Sequence, residues 1–120
     1  MAAEQALAKL LDVSEDVVAA VLFDAEGEPV AASIDEDRAR SAAATAETML
    51  VYADALRTNV SAQRLEAHTA DGSVFVARDG DRGIVAATGP EPATGLVLHD
   101  LRTALRESRR RTRSRTRVAS

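Results

Sequence analysis

The side chains in this sequence that could move protons, attack electrophiles or bind metals are few, and their spacing fits none of those chemistries well. His68 and His99 stand on different predicted elements, and His99 beside Asp100 reads as the polar side of a helix rather than as a ligand pair. Asp79-Gly80-Asp81 resembles a fragment of a calcium loop but lacks the further ligands and the distant glutamate, so it reads as a turn. Ser33 and Ser41 have no histidine at motif spacing to activate them. The chain has no cysteine, which excludes a thiol nucleophile, disulfides and thiolate metal sites. Phosphate-loop, paired-thiol and zinc-protease patterns are missing too, and Asn59-Val60-Ser61 matches a glycosylation acceptor that has meaning only outside the cytoplasm. The expectation is a non-enzyme with no catalytic residue, no cofactor and no metal site.

What stands out instead is charge. Arg109, Arg110, Arg111, Arg113, Arg115 and Arg117 follow one another with no acid among them. The other 9 basic residues face all 19 acidic ones, so residues 1–108 carry −10 while the whole chain is −4. Body and tail therefore have opposite fields. The tail could draw an anionic membrane surface or nucleic acid through salt-dependent contacts, or serve as a disordered, solubilising terminus over residues 109–120. No aromatic residue interleaves the arginines, so base stacking has no support. Thr112, Ser114 and Thr116 lie between them, where phosphorylation would weaken the positive field.

The elements that would position these residues follow from periodicity. A chain of 120 residues has room for one domain, and 46% apolar with 28% charged residues separates it from disordered and membrane classes. No stretch approaches the roughly 20 apolar residues that span a bilayer, and Met1 to Leu11 lacks the features of an export signal, so a cytoplasmic location is expected. Ala3, Ala6, Leu7, Leu10 and Leu11 share one face of a first helix. Val17 to Phe23 is apolar on both faces, as in a central strand. Asp24-Ala25-Glu26-Gly27 is a tight turn into a second strand over Glu28 to Ile34, whose Pro29 suits an edge.

Asp35 or Asp37 can cap a long alanine-rich helix ending near Asn59. Its sheet-covering arc is Ala39, Ala42, Ala43, Ala46, Met49, Leu50, Ala53 and Leu56. The other side also carries apolar and small residues, so this helix has a second surface to bury. Three short strands follow, Gln63 to Thr69, Ser73 to Arg78 and Gly83 to Thr88. Pro90 and Pro92 then break the chain before a last helix running to about Ser108. The order α-β-β-α-β-β-β-α predicts an α+β fold over residues 1–108. Short links favour a five-stranded antiparallel sheet, with the long helix on one face and the two terminal helices on the other.

That order, the hairpin Ala20-Val21-Leu22-Phe23-Asp24-Ala25-Glu26-Gly27-Glu28-Pro29-Val30-Ala31-Ala32-Ser33, and the helix opening Gly95-Leu96-Val97-Leu98-His99-Asp100-Leu101-Arg102 resemble the Roadblock family over roughly residues 5 to 107. The family includes a dynein light chain and bacterial regulators of Ras-like GTPases. The resemblance implies a homodimer with the long helices side by side and the third strands joining two sheets. It also implies binding to a small Ras-like GTPase or a scaffolded complex, with activation by repositioning the GTPase's own residues.

The residues support self-pairing separately. If the third strand lies at the sheet edge, it has no proline, lysine or glycine to block pairing. With Leu65 on a twofold axis, Arg64 would face the partner's Glu66, whereas a register centred on Glu66 would oppose like charges. Ala44, Thr45, Thr48 and Ala55 would let two long helices approach closely, with Val51 and Tyr52 adding buried area. The same residues could instead be scattered apolar positions on a monomer's surface.

Overall fold

A computed structural model describes residues 2–56 and 64–119, with the backbone alone described for 109–119. The elements are α1 (Ala2–Val13), β1 (Val17–Phe23), β2 (Pro29–Ala32), α2 (Glu36–Leu56), β3 (Arg64–His68), β4 (Ser73–Asp79), β5 (Arg82–Thr88) and α3 (Thr94–Ala119). All strand pairs are antiparallel, in the order β2-β1-β5-β4-β3. The element order and the fold class are those the sequence predicts.

β1 is interior, between β2 and β5, and its alternate side chains serve two cores. Ala20 and Leu22 pack with Phe75, Ile84, Leu101 and Leu105 under α1 and α3. Val21 and Phe23 pack with Ala39, Ala43, Ala46 and Leu50 under α2. The sheet is thus covered by the two terminal helices on one face and the long helix on the other. Lys9 Nζ, 2.9 Å from Glu107 Oε1, ties α1 to α3.

Local side chains set the connections. Asp24 Oδ1 accepts hydrogen bonds from the amides of Glu26 and Glu28, both 3.0 Å, and Gly27 takes φ +80°, so the predicted turn forms. Asp35, not Asp37, caps α2: its Oδ2 accepts from Arg38 N at 3.1 Å. The expected end of the long helix near Asn59 falls within residues 57–63, outside the described residues. One boundary differs from expectation. The helical backbone of α3 continues past Ser108 to Ala119, because no glycine or proline follows Gly95 and arginine is a favourable helix former.

The β3–β4 turn makes a close approach that excludes any side chain at Gly72. A Cβ there would stand 2.4 Å from the backbone oxygen of Thr88. Gly72→Ala is expected to destabilise the domain by about 1–3 kcal/mol, the range for overpacking a closed site, read as a lower urea midpoint at unchanged slope.

Candidate functional site

α2 crosses the sheet from the β2 side, where Ile34 precedes its cap, to β4, where Arg78 Nη2 donates to both carboxylate oxygens of Asp54 at 3.0 and 3.1 Å. Leu50, Ala43, Ala46 and Ala39 face the sheet and are buried. Beside them lies an open groove of about 440 Å³ between one flank of α2 and the sheet. Arg38, Ser41, Ala42, Thr45 and Met49 line its helix side, and Ala19, Val21, Val74, Val76, Val85 and Ala87 line its floor. Its existence follows from side-chain size: alanines at 19, 42 and 87 leave helix and sheet apart where larger residues would have filled the gap. Val74, on the floor, is 39% exposed.

β3 is the edge of the described sheet, next to the β4 residues Val74 and Val76 that line the groove floor. Leu65 pairs with Val76 and packs on the α2 side, half-buried, whereas Arg64, Glu66 and Ala67 are exposed. Among the described residues, this edge has one row of backbone donors and acceptors without a strand partner. Exposed apolar residues gather on the same helix: Val51 at 54%, Tyr52 at 68% and Leu56 at 86%.

Of the α2 residues singled out from sequence, Ala44, Thr45, Thr48, Val51, Tyr52 and Ala55 are all on the solvent side of the helix. At about 100° per residue, Thr45 and Tyr52 fall on the groove flank, Thr48 at the crest, and Ala44, Val51 and Ala55 toward the other flank. Thr48 Oγ1 donates to Ala44 O at 3.0 Å, satisfied within its own helix. Leu56, expected against the sheet, instead points to solvent on the groove flank. Sequence reasoning missed the groove floor and the roles of Met49 and Leu56. Their apolar character at helical spacing was the available signal, but it does not separate the helix flank from the sheet-facing stripe.

One cluster has the outline of a catalytic relay. His68 Nδ1 lies 2.7 Å from Ser73 Oγ, and its Nε2 lies 3.2 Å from Glu66 Oε1. Ser73 is only 3% exposed and sits directly across the hairpin from His68, so its hydroxyl has no approach for a substrate. The His68 ring meets Phe75 edge-on, 5.7 Å between centroids, and the cluster anchors the hairpin. Among the described residues, no group of three or more histidine, aspartate or glutamate side chains is placed to hold a metal, and no helix is long and apolar enough to cross a membrane.

A family model described as the Roadblock/LC7 domain matches residues 3–88, which contain the sheet, the groove and α2. The chain belongs to the Roadblock/LC7 family. Solved Roadblock structures share its fold at low sequence identity. A Roadblock/LC7 domain from Streptomyces avermitilis superposes with a TM-score of 0.80 at 15% identity, covering 91% of this chain and 96% of that one. MglB of Myxococcus xanthus gives 0.77 at 14% identity, covering 93% and 88%. An MglB described as having a tetrameric arrangement gives 0.67 at 19% identity, covering 89% and 85%. No curated protein sequence matches the chain.

Proposed function

We propose that this Roadblock domain is a non-enzymatic, homodimeric regulator or scaffold that binds a small Ras-like GTPase in the cytoplasm. The observation that carries the reading is the open β3 edge beside an apolar groove on one face of the sheet. A twofold axis through Leu65, perpendicular to the sheet, satisfies both. It pairs β3 with the partner's β3, sets Arg64 against the partner's Glu66, and lays the two α2 helices antiparallel. Each helix then offers Tyr52 and Leu56 toward the other's groove. Supporting it are the family itself and the MglB whose described arrangement is tetrameric. The folded unit is assigned to residues 1–108, with 109–120 as an appended basic segment.

The GTPase half of the proposal rests on family resemblance, and binding tests it. Purified Ras-like GTPases of the same genome, loaded with GDP or a non-hydrolysable GTP analogue, are titrated by calorimetry with this protein. Saturable binding that discriminates the two nucleotide states is expected; absence of binding in both states contradicts the assignment. Faster GTP hydrolysis in the complex would mark an activator, and an unchanged rate a scaffold.

A further inference from the structure

We propose that His68 makes self-pairing at the β3 edge sensitive to pH, with acid weakening the dimer. On the face of β3 opposite to Leu65, Arg64, Glu66 and His68 form a row across Ala77, Phe75 and Ser73 of β4. Phe75 and Ala77 belong to the core under α1 and α3, so the row lies on that side of the sheet. All three of its side chains are exposed. The His68 ring is nonetheless fixed on three sides. Its Nδ1 lies 2.7 Å from Ser73 Oγ, its Nε2 lies 3.2 Å from Glu66 Oε1, and the Phe75 ring stands edge-on to it. The neutral ring answers both polar neighbours, accepting from the Ser73 hydroxyl at Nδ1 and donating from Nε2–H to Glu66. A proton added at Nδ1 turns the second contact into an ion pair with Glu66.

This response rests on the self-pairing proposed above. With Leu65 on the twofold axis, Glu66 stands opposite the partner's Arg64, so one carboxylate serves a cation from each protomer once His68 is charged. His68 and the partner's Arg64 are then diagonal neighbours on one face, roughly 7–8 Å apart. While His68 is neutral, the row of each copy balances Arg64 against Glu66. Protonation leaves each row with a positive excess and sets like charges across the shared edge twice. Other charged or titratable groups around His68 belong to its own protomer. They are Arg64 on the same strand, Asp71 in the β3–β4 turn, Glu91 in the loop against which that turn packs, and His99, Arg102 and Arg106 on the flank of α3 beside β4. Each acts on His68 in the free protomer as well as in the pair, so its effect largely cancels from association. The partner's Arg64 does not cancel, and it sets the sign: pairing costs more when His68 is charged, so the dimer loosens as the pH falls through the range in which histidines gain a proton.

The test is the dimer dissociation constant of the full chain, measured by sedimentation equilibrium at about pH 8 and about pH 5.5. Salt is held at about 0.05 M, where surface charges are little screened. Acidification is expected to raise the constant of the parent about fivefold. His68→Gln keeps a polar side chain beside Ser73 and Glu66 but does not titrate, and its constant should change less than about twofold. His99→Gln, the same change at the chain's other histidine, should respond as the parent does. Circular dichroism of both variants at the higher pH checks that they are folded. A parent dimer whose constant is unchanged or lower in acid overturns the proposal, and so does a full response in His68→Gln. A chain that is monomeric at both pH values overturns the homodimer itself, which is a different result from a dimer that ignores pH.

Discussion

Phe75→Ala is expected to lower stability by about 3–5 kcal/mol, a large share of what a domain of this size possesses. Phe75 has no exposed surface and sits on β4, next to the edge strand, between Glu66 of β3 and Ala86 of β5. Its ring fills the core under α1 and α3, where most of the facing residues on the sheet are alanine or β-branched and too short to reach into the space left behind. The ring also receives His68 edge-on, so its loss frees the His68–Ser73 contact that closes the hairpin. Urea unfolding followed by circular dichroism measures the effect. Phe75→Leu, which leaves a smaller cavity, should retain well over half of the lost stability. A loss below about 1 kcal/mol for the alanine variant would mean that this face is not closely packed.

The second large effect concerns assembly. Leu65→Lys combined with Tyr52→Glu is expected to convert a dimer into a folded monomer. Leu65 is half-buried on the α2 side at the edge, and Tyr52 is 68% exposed, so neither change removes a pillar of the protomer's own core. On the proposed axis, Leu65 meets its own copy. Two lysines there would repel each other in a strip that must lose water, and the carboxylate introduced at position 52 of each protomer would face an apolar groove. Together these should weaken association by at least about a hundredfold, or some 3 kcal/mol, at little cost to the urea midpoint of the monomer. Unfolding of the variant at the parent's protein concentration separates the two effects, since dimer stability depends on concentration and monomer stability does not.

Much of this was legible because local side chains dictate it. Asp24 accepts from two amides of its own turn and Asp35 from the first turn of α2, so hairpin and helix start could be placed without knowing what packs on them. The continuous apolar run Val17 to Phe23 declared an interior strand because each of its two faces must be covered. The groove was hidden for the opposite reason. It arises from what Ala19, Ala42 and Ala87 fail to fill, a property of three elements at once. Leu56 shows the same limit: helical spacing puts it near the core-facing arc, but α2 has crossed the sheet by then and the residue overhangs β4's end of the layer. The end of α3 was missed because apolar periodicity stops at Leu105, while arginine sustains a helix without any core to face.

Everything proposed about assembly depends on whether the open β3 edge is covered by a second copy. Light scattering on the full-length chain at micromolar concentration measures that directly. The expected mass is twice 12.7 kDa, falling to 12.7 kDa in the Leu65→Lys, Tyr52→Glu variant. A wild-type mass of 12.7 kDa would leave the edge and the groove to another partner and contradict the homodimer.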